Sequence, residues 1–191
     1  MQAGLRWTSA DLDVLPEDGK RYEIIDGELH VSRQPSWQHQ FVGVEILTAL
    51  HLWSTQTGAG FTNDAPGVIL AADDDVAPDI VWIAAERLRG ALDAAGHLQV
   101  APDLVAEVLS PGTKNEQRDR EAKLKTYSRH GVREYWIVDW RRRRIEVFRR
   151  EQAALQVAAT LMEDDVLTSP LLPGFSLAVA QLFRRLPEAT T

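Results

Sequence analysis

The sequence predicts an α/β domain built on a mixed β-sheet flanked by helices, with an added hairpin on its N-terminal side and added strands on its C-terminal side. Three observations predict it. RYEIIDGELHVSR alternates around the turn dipeptide Asp26-Gly27, the pattern of a β-hairpin. Two helical stretches, near 37–57 and 113–130, each end on a glycine. LVAEVL and EYWIV are short, almost uncharged runs of the kind that fill a sheet covered on both faces.

The elements follow in order. After a short lead-in, Asp11 to Lys20, comes the hairpin; Pro35 and Ser36 then open a helix from about Trp37 to Thr57, stopped by Gly58 and Gly60. Phe41, Val44, Thr48 and Leu52 line one side of that helix, with Val42, Ile46, Ala49 and Trp53 adjoining it. Extended segments are predicted around Gly67 to Leu70 and Asp79 to Ile83, separated by the acidic turn Asp73-Asp74-Asp75. Leu104 to Leu109 reads as a central strand broken by Ser110-Pro111-Gly112. Thr113 and Glu116 form a capping-box pattern for a helix that runs to about His130 and stops at Gly131. Glu134 to Val138 is a strand, followed by an arginine-rich turn into Ile145 to Arg149. Weaker segments lie near Leu155 to Leu161 and Phe175 to Val179.

A chain of 191 residues supports one sizeable core, and nothing in it marks a linker or a repeat, so a single domain over 1–191 is expected, with its core at about 22–183. The absence of cysteine excludes disulfides, thiolate metal sites and cysteine nucleophiles, and fits a reducing cytoplasm. The first residues lack the apolar segment of a signal peptide, and no apolar run approaches the ~18 residues of a membrane span, so a soluble protein is expected. The net charge of -7 argues against non-specific coating of nucleic acid, which relies on many cationic phosphate contacts. It leaves a local basic patch open. The strongest basic run, Arg141 to Arg144, reads either as a solvated hairpin tip or as a phosphate contact.

Two acids resist a surface reading. Asp79 follows Pro78 and immediately precedes IVWI, and Glu107 sits between Val105 and Leu109 on its face of an otherwise uncharged strand. An ionised carboxylate there costs several kcal/mol unless it is protonated, paired with a cation or bound to a metal. Mg²⁺ or Mn²⁺ suits two such carboxylates, because hard cations take oxygen ligands and keep several waters. Asp79, Glu107 and one backbone carbonyl, that of Val108, would leave room for a phosphodiester. The metal would acidify a bound water, and a nearby lysine would stabilise the developing charge. The histidines form no metalloprotease pattern, and no phosphate-binding glycine loop is present.

YEIIDGEL, PDIVWI, PDLVAEVLSPGT, Asp119-x3-Lys123-x3-Tyr127, GVREYWIVD and LLPGFSL follow one another in order. This series resembles the Uma-type endonucleases, a bacterial family within the PD-(D/E)-x-K nuclease-like superfamily. The resemblance covers about Tyr22 to Phe183. It implies a restriction-endonuclease-like fold, Asp79 and Glu107 as metal ligands, and DNA as the substrate. Glu23 matches a further acidic position, either facing the cleft or exposed on its strand. Leu109 stands where the general motif has its lysine, and the resemblance implies that Lys123, on the following helix, takes that place. Asp119, Lys123 and Tyr127 stack at spacings of four, and the row Arg120, Leu124 and Tyr127 is expected to touch the sheet. Lys125 is the alternative lysine, about 200° around the helix from Lys123. Ser110 is either a helix cap or a site residue, while His39 and Glu45 are further candidates that could equally face solvent.

A Mg²⁺- or Mn²⁺-dependent endonuclease is therefore the leading expectation. The alternatives are a non-catalytic binding or assembly protein on the same fold, in which Asp79 and Glu107 pair with basic side chains, and a hydrolase of another phosphorylated substrate. A homodimer is expected because cutting a duplex commonly needs two sites, with Trp7 and Trp140 as interface candidates.

Overall fold

The structure, a computed structural model, describes residues 5–187. A one-turn helix α1 (Ser9–Leu12) precedes the hairpin β1 (Arg21–Ile25) and β2 (Glu28–Ser32). Its turn residues Asp26 and Gly27 both have positive φ, 53° and 74°, which suits the right-handed twist of a tight hairpin. Helix α2 (Trp37–Thr57) follows, then strands β3 (Gly60–Asp64), β4 (Val68–Ala71), β5 (Asp74–Val76) and β6 (Ile80–Ala84). After α3 (Ala85–Leu88) come β7 (Leu104–Val108), α4 (Thr113–Gln117), a π-helical turn (Arg118–Lys123) and α5 (Leu124–His130). The chain then forms β8 (Glu134–Asp139), β9 (Arg144–Glu151), β10 (Ala154–Leu161), β11 (Val166–Leu167), β12 (Leu177–Ala178) and α6 (Val179–Phe183).

The main sheet has six strands in the order β10-β9-β8-β7-β6-β3. Only β7 and β8 run parallel, and the helical stretch 113–130 is their crossover. Central β6, β7 and β8 are buried at every position, as apolar runs without alternation require. One face carries Trp82, Leu104, Ala106, Trp136 and Val138 and packs on α2 and α6. The other carries Val81, Val105, Leu109, Tyr135 and Ile137 and packs on Tyr127 and Val132 and on Ile25 and Val76 of a second sheet, order β2-β1-β5-β4. No helix among the described residues is long and apolar enough to cross a membrane.

Several local expectations need correction. On α2 the buried row is Val42, Ile46, Leu50 and Ser54, whereas Val44 is 57% and Leu52 55% exposed. Apolar residues surround this helix, so spacing alone does not choose a face; contact with β6 and β7 does. The capping box at Thr113 does not form: Gly112 is the cap, Thr113 already lies within α4, and Ser110 caps nothing. Asp73 lies in a turn, but Asp74 and Asp75 belong to β5, where Asp74 is buried against Arg129 and His130. The buried row of the 113–130 helix is Asp119, Lys123, Thr126 and Tyr127, while Arg120 and Leu124 are only half-buried. The buried positions recur at i, i+4, i+7 and i+8, one ordinary helical face, and the π-helical turn lies within it. Tyr135 supports the turn by donating its hydroxyl to the Asp119 carbonyl at 3.0 Å.

Candidate active site

Strands β6 and β7 pair antiparallel with Ile80 opposite Ala106, so the next step of the register sets Asp79 across from Glu107. The backbone joins the two acids. The Val108 amide donates to Asp79 Oδ2 at 2.9 Å, and the Asp79 amide donates to Glu107 Oε2 at 3.4 Å. Val108, the expected carbonyl ligand, thus stands at the end of β7 beside both acids, with its amide engaged by Asp79.

Each acid has its own cationic partners. Arg21 donates from Nη1 to Asp79 Oδ1 at 3.0 Å and to the Ala77 carbonyl at 3.1 Å. His39 places Nε2 3.1 Å from Asp79 Oδ2 and Nδ1 3.2 Å from Gln40 Oε1. Ser36 caps α2 by accepting from the His39 amide, which fixes the first turn carrying that ring. Glu107 Oε1 accepts from Lys123 Nζ at 2.8 Å and from the Tyr127 hydroxyl at 2.9 Å.

Lys123 is 0% exposed and is held by acids on several sides. Besides Glu107, it lies 2.9 Å from Glu23 Oε1 and 4.0 Å from Asp119 Oδ1. Glu23 is fully buried and also accepts from the Ala77 amide at 3.1 Å. Its Oε2 has no hydrogen-bond partner among the described residues and lies 3.8 Å from Arg118 Nη1. Arg118 in turn donates from Nε to Asp119 at 3.0 Å. Glu23, Asp79, Glu107, Asp119, Lys123 and Tyr127 therefore converge from β1, β6, β7 and the 113–130 helix.

A cavity of about 190 Å³ opens on one side of this cluster, lined by Arg21, Arg33, His39, Asp79, Ser110 and Arg118 among others. Lys123 and Glu107 are not in its wall; Glu107 stands between Asp79 and the lysine. Lys125 is exposed and bonded to Asp26 at 3.3 Å, away from the acids. Glu45 is half-buried and does not line the cavity. The arginine run behaves as a hairpin tip, with Arg141 paired to Glu116, Arg142 to Asp139, Arg143 to Glu163 and Arg144 to Glu146. Trp7 and Trp140 are half-buried, and Trp140 donates to the Leu109 carbonyl at 3.1 Å, while the exposed tryptophan is Trp37 at 73%.

The family described as Uma2, "Putative restriction endonuclease", matches residues 9–180. The chain belongs to the Uma2 family. A solved structure described as a putative nuclease belonging to DUF820, from Anabaena variabilis, is 19% identical and superposes with a TM-score of 0.74, covering 94% of this chain and 99% of that one. At that identity the likeness establishes the fold alone, a mixed sheet flanked by helices. No curated protein sequence matches the chain.

Electrostatics in this Uma2 protein split the facing acids. Burial works to raise Asp79, but His39, Lys123 and Arg21 outweigh it and hold the carboxyl far below its usual range. Burial also raises Glu107; Lys123 opposes this, but Asp79, Asp119 and Glu23 add to it, and the group is pushed up to about 8. Burial opposes the charge on Lys123, and Glu107, Glu23 and Asp119 more than restore it. His39 follows the same pattern: burial disfavours its proton, and Asp79 raises it overall.

Among the described residues no three His, Cys, Asp or Glu side chains form a ready metal centre. Mg²⁺, however, is commonly held by one or two carboxylates while keeping its waters. Asp79 and Glu107 supply hard oxygen donors at the adjoining ends of β6 and β7, and among the described residues Glu107 Oε2 makes only the long 3.4 Å bond to the Asp79 amide. The donor set fits Mg²⁺ or Mn²⁺ in kind.

Arg21 and Arg118 were missed in the sequence. For Arg21 a signal existed: it is two residues from Glu23 on one strand, so placing Glu23 in the cleft carries Arg21 to the same face. Arg118 had none, because the π-helical turn that aims it inward has no spacing signature.

Proposed function

We propose that this chain is a divalent-metal-dependent endonuclease that hydrolyses phosphodiester bonds in nucleic acid, with DNA as its substrate. The observation that carries the reading is Asp79 facing Glu107 at the edge of a cavity walled by arginines. A purely structural ion pair has no need of such a cavity, whereas a phosphodiester needs both the acids' metal and the surrounding positive charge.

Asp79, Glu107 and the Val108 carbonyl would hold Mg²⁺ or Mn²⁺. When bound, the ion acidifies a water and neutralises charge on the phosphate. A water oxygen forms a bond to phosphorus and gives its proton to solvent as the bond from phosphorus to the leaving deoxyribose oxygen breaks, and that oxygen takes a proton from solvent. Lys123 acts through Glu107, whose Oε1 it holds together with Tyr127. Glu23 and Asp119 fix the lysine. Because cutting both strands of a duplex takes two such centres, the reading includes a homodimer in the cytoplasm.

The test is metal-dependent nicking of plasmid DNA. Cleavage in Mn²⁺ that vanishes in EDTA and in Asp79→Asn supports the reading; equal cleavage by wild type and Asp79→Asn rejects it.

One observation favours a second reading, a binding or assembly protein on the nuclease fold. Both acids are already matched by protein cations, Asp79 by Arg21 and Glu107 by Lys123. That reading predicts no bound Mn²⁺ at millimolar concentration, and calorimetric titration decides between the two.

A further inference from the structure

Nucleases of this kind need a cation against the scissile phosphoryl group, and the helix lysine is the residue first expected there. Its surroundings argue otherwise. The Lys123 ammonium is enclosed, with Glu107 Oε1 at 2.8 Å, Glu23 Oε1 at 2.9 Å and Asp119 Oδ1 at 4.0 Å. Its side chain is 1% exposed and is absent from the cavity wall, so a phosphate entering the cavity does not reach the Lys123 ammonium.

Arg21 is placed differently. Its side chain is 31% exposed, lines the cavity, and approaches Oδ1 of Asp79 with one end of its guanidinium. Only Nη1 is engaged, by Asp79 Oδ1 and the Ala77 carbonyl. The remaining N–H groups of a planar fork suit two oxygens of one phosphate, a geometry an ammonium does not offer. The strand enforces the division of labour. Glu23, two residues on, shares the face of Arg21, but its carboxylate reaches inward to Lys123 while the guanidinium reaches Asp79 and the cavity.

We infer that Arg21, and not Lys123, is the cation that binds the phosphate of the substrate backbone, while Lys123 is a positioning residue for Glu107. This rests on the nuclease reading above for its substrate class. It is read by binding, so it stands or falls separately from cleavage.

The experiment measures affinity for a fluorescent DNA oligonucleotide at several salt concentrations, in Ca²⁺ and in EDTA. Asp79→Asn is compared with Asp79→Asn/Arg21→Gln, so that loss of the Arg21–Asp79 pair cannot account for the difference. The expected result is roughly tenfold weaker binding by the double variant, with the log–log salt slope reduced by about one contact's worth. Arg89→Gln, at the exposed end of α3 beyond the far end of β6, removes the same charge and should leave affinity within about twofold. Affinities of the single and double variants within twofold, or no oligonucleotide binding by the wild type, would overturn the inference. If wild type cuts nothing but the double variant still loses affinity, the inference stands and the nuclease reading fails. Should Arg21→Gln not fold, phenylglyoxal labelling of wild type replaces it: bound oligonucleotide is expected to protect Arg21, and unchanged labelling overturns the claim.

Discussion

The Asp79 amide donates to Oε2 of Glu107 at 3.4 Å, so the two acids are coupled through backbone as well as charge. The Val108 amide returns the connection to Asp79 at 2.9 Å. Neither carboxylate can swing away without giving up the amide bond it accepts. This makes them a preorganised pair, with positions set by the sheet before any ligand arrives.

Replacing either acid by its amide should therefore remove chemistry more than structure. Asp79→Asn and Glu107→Gln are each expected to lower Mn²⁺-dependent cleavage by at least roughly 100-fold. Both should retain the wild-type far-UV circular dichroism spectrum. Loss of folded signal in both variants would show that the pair is structural.

Lys123 should behave in the opposite way. Lys123→Met leaves Glu107, Glu23 and Asp119 buried without their ammonium, and breaking such a buried pair costs about 3–5 kcal/mol. Urea denaturation measures it. Lys123→Met/Glu23→Gln, which removes one stranded charge, is expected to recover part of the loss; a double variant less stable than the single one would contradict this account of the cluster.

The acids also set a pH dependence. Glu107, pushed up to about 8 from 4.5, must give up a proton to bind a cation, so Mn²⁺ affinity should rise from pH 6 to pH 8, by at most about tenfold per unit, and level off above. For folding the sign differs between the pair. Because Glu107 holds its proton better when folded, its contribution falls as pH rises from 4.5 through about 8. Asp79 is held below its ordinary 3.8, so its contribution is present above that value and is lost as pH falls beneath it. Asp79→Asn should flatten the acid limb of a stability–pH curve, and an unchanged limb would contradict the assigned ion pairs.

Much of this was legible in the residues. The bounds of α2 match at both ends, because Ser36 and Gly58 are local signals acting on their own turns. Asp79 and Glu107 were visible because a single charge in an apolar strand is conspicuous. Glu23 and Lys123 needed the resemblance, since one lies in an alternating strand and the other on a charged helix. The face of α2 was not legible: Val42 and Val44 are equally apolar, and only the sheet packed against the helix distinguishes them. Arg21 was masked because arginine at the start of an exposed-looking hairpin is ordinary.

That packing asymmetry is testable. Ile46→Ala should cost about 2–5 kcal/mol, because Ile46 is 0% exposed against the sheet. Val44→Ala, at 57% exposed, should stay within about 0.5 kcal/mol. Comparable losses in chemical denaturation would mean that the outer face of α2 is covered in solution.

Anomalous diffraction from a crystal soaked in millimolar Mn²⁺ addresses the central claim most directly. The account predicts one peak within coordination distance of both Asp79 and Glu107, with the Arg21 guanidinium displaced from Asp79 toward the cavity. A map without such a peak, in which Arg21 and His39 still hold Asp79 and Lys123 still holds Glu107, would contradict it.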